Sequence, residues 1–174
     1  MPSSRKKQQG IQAARIHLFR FVEHSHAMTA IDLLLIHLAL TWALVGMIWT
    51  VQLVQYPSFA FVGKAEFAAY HKHHTNRITW IVAPLMSGEL LTGLSLFWLG
   101  PVGLSESLLW TGLALIALNW GWTALVAVPL HSRLNFPAEA VKRALVRANW
   151  VRTVAWSARG IWALAAVRAA LAVA

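Results

Sequence analysis

The residues of this chain best suited to chemistry are a group of histidines, one acid and two arginines. His71, His73 and His74 precede an apolar run that contains Glu89, in the stretch EFAAYHKHHTNRITWIVAPLMSGELLTGLSLFWL (66–99). At helical spacing Phe67, His71, His74, Ile78, Ile81, Leu85 and Glu89 form one stripe. His71, His74 and Glu89 therefore look the same way and His73 looks away. A neutral imidazole is a general base near working pH. An ionisable group at membrane depth marks a functional site. Further on, Asn149, Arg152, Trp156 and Arg159 recur at three and four residues and share a second helical face.

These residues must be held by an apolar scaffold. The 174 residues are 58% hydrophobic and only 12% charged, with a mean hydropathy of +0.56. That composition and length suit one membrane domain. The chain has no cysteine, which excludes disulfides, thiolate metal sites and thiol catalysis. Its formal net charge of +9 is split among separate loops. Basic residues in such loops flank membrane spans and meet anionic head groups, so membrane lipids are expected partners and nucleic acid is not.

Residues 1–28 form a basic N-terminal segment in which 11–22 suits a short interfacial helix. Residues 29–174 form the transmembrane domain, with spans expected at about 29–55, 78–99, 108–130 and 149–173. Tyr56-Pro57 should end the first span and Pro129 the third, because the residue before proline disfavours helix. Pro84 should kink the second. No strand alternation or repeat is visible, so the expected fold is an all-α integral membrane four-helix bundle. Four spans put the loops around His71–His74 and His131 on one face. Counting basic residues in short loops makes that face cytoplasmic, in a bacterial inner membrane.

Depth then sorts the polar residues into two layers. Fifteen residues of helix separate His74 from Glu89, about 22 Å, so the two cannot share a metal ion. Glu89, Asn119 and Arg159 fall near the midplane as a buried polar cluster. There an acid–base pair costs far less than a lone charge. Gln52, Tyr56, His71, His74, His131, Asn149, Arg152 and Trp156 fall near the histidine face and should line a pocket. His71, His74 and His131 could ligate a metal, although no acidic ligand stands beside them. A haem at His37 would need a second histidine at that depth.

Four segments resemble the four-helix integral membrane family that includes fungal anthrone oxygenases: VQLVQYPSFAFVGKAEFAAYHKHHTNR, the acid in MSGELL, HSRL, and above all ANWVRTVAWSARG. The resemblance covers roughly residues 50–165, and its matching polar positions are Tyr56, His71, His74, Glu89, His131, Asn149, Arg152 and Arg159. It implies a membrane-embedded oxidoreductase or oxygenase that uses dioxygen on a flat, lipophilic, aromatic or quinone-like molecule. On that reading His71 or His74 is the general base and Arg152 stabilises a phenolate or enolate oxygen. Trp156 stacks on the ring, while Gln52, Tyr56, His131 and Asn149 complete the substrate site. The alternatives are a non-catalytic membrane protein that binds a quinone, pigment or lipid, alone or within a larger complex, and a metal- or haem-dependent redox protein. The cofactor is accordingly either none or a metal ion at His71, His74 and His131.

Overall fold

The computed structural model describes residues 30–101, 103–133 and 139–173. The basic segment over 1–28, with its expected interfacial helix, lies outside the described residues, as do residues 134–138. The described residues are all-helical, with no strand. Four long helices follow one another: α1 (Ala30–Phe61), α2 (Phe67–Leu99), α3 (Glu106–Ser132) and α4 (Glu139–Leu171).

Cross-helix contacts give the arrangement. His37 and Thr41 of α1 meet Thr92 and Glu89 of α2, so the two run antiparallel. Phe97 packs edge-on against Trp110 of α3. Trp162 and the Ala148 carbonyl of α4 meet Leu108 and Trp122 of α3 in reverse order. Asn149 and Ser157 meet Gln52 and Trp49, which closes the ring between α4 and α1. The result is an up-down-up-down bundle. Its tight turn between α2 and α3 is made by Gly100, left-handed at φ 53°, and by Ser105, whose hydroxyl caps the Leu108 amide at 3.3 Å. At this end Ala163, Ala166 and Ala170 let α4 approach Leu34 and Leu96 closely.

Two expected helix ends are not ends. α1 continues through Tyr56-Pro57 to Phe61, and α3 continues through Pro129 to Ser132. In each the proline follows a π-helical turn, Val51–Gln55 and Thr123–Ala127. The Tyr56 amide reaches back to the Val51 carbonyl and the Val128 amide to the Thr123 carbonyl. A wide turn of this kind absorbs the clash and the missing donor that proline brings to a helix. α2 begins at Phe67, well before residue 78, and Pro84 lies inside it.

Helices α1, α2 and α3 are long and apolar enough to cross a membrane. α4 is equally long but does not reach that apolar content, so the expected fourth apolar span at 149–173 is a different kind of helix. Its polarity has a direction. Arg152 and Arg159 are buried in the bundle, whereas Val151, Val154, Ile161 and Leu164 are exposed.

Candidate functional site

At the histidine end the helices line a half-open cavity of about 690 Å³. Met47, Ile48, Val51, Ile78 and Val82 give it apolar walls, and Tyr56, His71, His74, His131 and Arg152 line it with polar groups. Both π turns border it, through Val51, Tyr56, Thr123, Ala127 and Val128. The extra residue in each turn rotates the following segment, which brings Tyr56 and His131 onto the cavity side.

Three side chains form a relay along the wall. Tyr56 Oη lies 3.1 Å from His131 Nε2, and His131 Nδ1 lies 3.0 Å from His71 Nε2. A neutral imidazole has one donor and one acceptor. The relay therefore has two directions. In one, Tyr56 donates to His131 and His131 donates to His71. In the other, His71 donates through Nε2 and leaves its Nδ1 lone pair open. The tautomers thus exchange a donor for a base at His71 Nδ1.

Phe59 holds these rings in place. The 3-10 turn Phe59–Phe61 swings Phe59 back so that it meets Phe67, Tyr70, His71 and His74 edge-on, with centroids 5.6–6.0 Å away. The His71 ring also stacks on Phe67 at 5.9 Å. His74 is half-buried on the cavity wall and makes no side-chain hydrogen bond among the described residues, and His73 is exposed.

Arg152 is the one buried cation of this layer among the described residues, 7% exposed. Among those residues it has no carboxylate partner, and its Nε has no hydrogen bond. Its position is set from behind. Gln52 Nε2 donates to the Val146 carbonyl at 3.4 Å, and Asn149 Nδ2 donates to Gln52 Oε1 at 2.8 Å. Arg152 Nη1 donates to Asn149 Oδ1 at 3.3 Å. The guanidinium lies over the Trp156 ring at 5.1 Å. Gln52, Asn149 and Trp156, expected in the pocket lining, thus stand behind the wall and orient Arg152. Trp156 is fully buried, with a face given to Arg152, so the expected stacking on a ligand is not the arrangement found.

Trp156 also links the two layers. Its Nε1 donates to Glu89 Oε2 at 3.3 Å. Glu89 Oε1 accepts from Thr41 at 3.2 Å and pairs with Arg159 Nε at 3.4 Å. Arg159 Nη2 donates to His37 Nε2. Arginine only donates, so Nε2 accepts and Nδ1 carries the proton, which it gives to Thr92 Oγ1 at 2.6 Å. Thr92 donates in turn to the Gly88 carbonyl at 2.7 Å. Asn119, expected to bond Glu89, is buried with no hydrogen-bond partner on either amide atom among the described residues.

His37, Thr41 and Thr92 lie outside the cluster expected from the sequence. The signal for His37 and Thr41 is the α1 stripe Leu34, His37, Thr41, Leu44, Ile48, Gln52, every member of it buried. Both ring nitrogens of His37 are engaged, so none faces a haem iron. No group of three or more metal-ligating side chains is assembled among the described residues. His71 and His131 point nitrogens at each other, so the expected metal position at His71, His74 and His131 is not formed.

Comparison of the chain with protein-family models, curated proteins and solved structures finds no significant match. The resemblance to the anthrone oxygenase family rests on the short motifs alone.

Proposed function

We propose that this chain is an integral membrane four-helix bundle that oxidises a flat, lipophilic, phenol-like or quinone-like molecule in the cavity. The outward faces of all four helices support the membrane reading. Leu53, Ile81, Leu91, Trp98, Leu118, Leu125, Val154 and Ile161 are exposed, as lipid contact would require. Of the α4 arginines, Arg152 and Arg159 face inward, where charges in membrane helices belong, while Arg143, Arg147 and Arg168 are exposed toward its ends.

One observation carries the chemistry. The reversible Tyr56–His131–His71 relay and the unpaired Arg152 border one apolar cavity. A buried guanidinium without a carboxylate among the described residues calls for an anionic oxygen from elsewhere. A ring ketone whose methylene is acidic fits both groups. The methylene gives a proton to an imidazole, His71 through its open Nδ1 or the unbonded His74. The electron pair moves to the carbonyl oxygen, and Arg152 holds that enolate. Dioxygen then adds at the carbon, which is oxidised while the dioxygen is reduced. One oxygen atom stays as the new carbonyl. The other leaves as water with the remaining methylene hydrogen and the returned proton. In balance, one methylene and one dioxygen become one carbonyl and one water.

Anthrone tests the reading in reconstituted protein, with quinone formation and oxygen uptake measured together. Arg152→Met should lower kcat/KM by about 10²–10³. Replacing both His71 and His74 by Ala should lower it by about 10²–10⁴. His73→Ala should leave it unchanged. A wild-type rate equal to the protein-free rate overturns the oxidative reading.

A further inference from the structure

We infer that the cavity is loaded sideways from the bilayer, through a window between α2 and α3. The inference rests on the membrane reading above. It follows from how the four seams of the bundle are closed at the depth of the cavity. The α1–α4 seam is bridged by Asn149 and Gln52 at 2.8 Å. The α3–α4 seam is bridged by Trp122 Nε1 donating to the Ala148 carbonyl at 2.9 Å. The α1–α2 seam is closed by Phe59 against α2 and by Gln55 Nε2 donating to Tyr70 Oη at 2.8 Å. The α2–α3 seam is joined by His71 and His131 at its outer end. Deeper in the bundle it is closed where Trp120 packs with the cluster that holds Met86, and where Gly93 meets Ile116.

Between the outer and the deeper contacts the cavity lining reaches the outside of the bundle. Lys72 and Thr79 on α2 and Val128 on α3 border the cavity there and are also exposed, and Ala68, Ala69 and Ser132 do the same on the outer side of the His71–His131 contact. From Lys72 to Thr79 the gap is about 10 Å tall. Its chemistry suits an apolar traveller. Thr75 and Thr79 turn their hydroxyls onto the carbonyls of His71 and Thr75, at 3.0 and 2.7 Å. Their hydroxyl protons are spent inside the helix, so the rim has no free donor there and offers methyl groups to what passes. Lys72 and Ser132 sit at the end nearest the membrane surface and suit the polar edge of the same molecule. The ligand is therefore one that partitions into hydrocarbon, oxygen functions toward Arg152 and apolar edge toward lipid.

The chain has no native cysteine, so one thiol reads the route. Met47→Cys places it on the cavity wall. In liposomes, neutral N-ethylmaleimide should modify position 47, while a charged methanethiosulfonate should fail from both sides. Thr79→Trp or Val128→Trp on the rim should slow the maleimide reaction tenfold or more, and Leu53→Trp, on the outer face of α1, should not. Fast modification by the charged reagent, or rim tryptophans without effect, overturns the window. The oxidative reading fails separately, by absent anthrone turnover with the labelling pattern intact.

Discussion

Glu89→Gln isolates the buried ion pair with the smallest change in shape. The carboxylate accepts from Thr41 at Oε1 and Trp156 at Oε2, and Oε1 pairs with the Arg159 guanidinium. A glutamine offers one oxygen and one NH2. With the oxygen toward Trp156, the NH2 faces Arg159, which can only donate. With the oxygen toward Arg159, the NH2 faces the indole N–H. Either orientation opposes two donors and leaves the guanidinium charge without its counter-ion. Removing one partner of a buried pair costs about 3–5 kcal/mol, and Glu89→Gln should fall in that range.

Arg159→Met alone should cost a similar amount, because it strands the carboxylate and removes the donor to His37 Nε2. The double variant behaves differently. Without the guanidinium, the glutamine oxygen can serve Trp156 while its NH2 donates to the Thr41 hydroxyl, which accepts. Only the His37 nitrogen stays unmet. The coupling between the two positions should therefore be about 1–3 kcal/mol, with the double variant more stable than the sum of its parts. Reversible unfolding in mixed SDS micelles measures all four corners of the cycle. Losses that add to within about 0.5 kcal/mol would refute the pair as the organiser of the deep layer.

Two further substitutions probe packing around that layer. A Cβ at Gly112 would stand 2.5 Å from Trp162 Cζ2 and 2.8 Å from Arg159 Nη1. Gly112→Ala should therefore cost about 1–3 kcal/mol in the same unfolding assay, and a neutral result would show that α3 and α4 are not packed this closely. Asn119→Leu keeps the branching at Cγ, adds volume, and deletes an amide with no partner among the described residues. An unmet buried amide costs about 1–3 kcal/mol, so this variant should be neutral or more stable. A loss above about 2 kcal/mol for Asn119→Leu, repeated in the smaller Asn119→Val, would count against an unmet amide at this position.

Helical spacing alone makes much of the interior legible, because one face of each helix must be polar where its neighbours are. The stripe through Phe67, His71, His74 and Glu89 predicts which α2 side chains are covered, with Ile81 the departure, 56% exposed. The recurrence from Asn149 to Arg159 does the same for α4. Depth matching then pairs Glu89 with Arg159 across 70 residues. It cannot say which side chains face the cavity and which stand one layer behind. Gln52, Asn149 and Trp156 share their helix faces with cavity residues, and only the hydrogen bonds to Arg152 separate support from lining.

The prolines mark the other limit. Tyr56-Pro57 and Val128-Pro129 read as helix ends from the local cost of proline, which is real. What the local rule omits is a second way to meet that cost. A π turn just before each proline lengthens the hydrogen bond from four residues to five and lets the helix run on. A π turn is itself unfavourable, so its use twice, at one depth, in helices facing one cavity, calls for a compensating gain. The gain is positional. Without the inserted residue, Tyr56 and His131 would be rotated about 100° from where they stand, away from the contact that joins them. The two departures from regular helix and the relay they serve are one feature of the fold, visible only once the partner helices are in place.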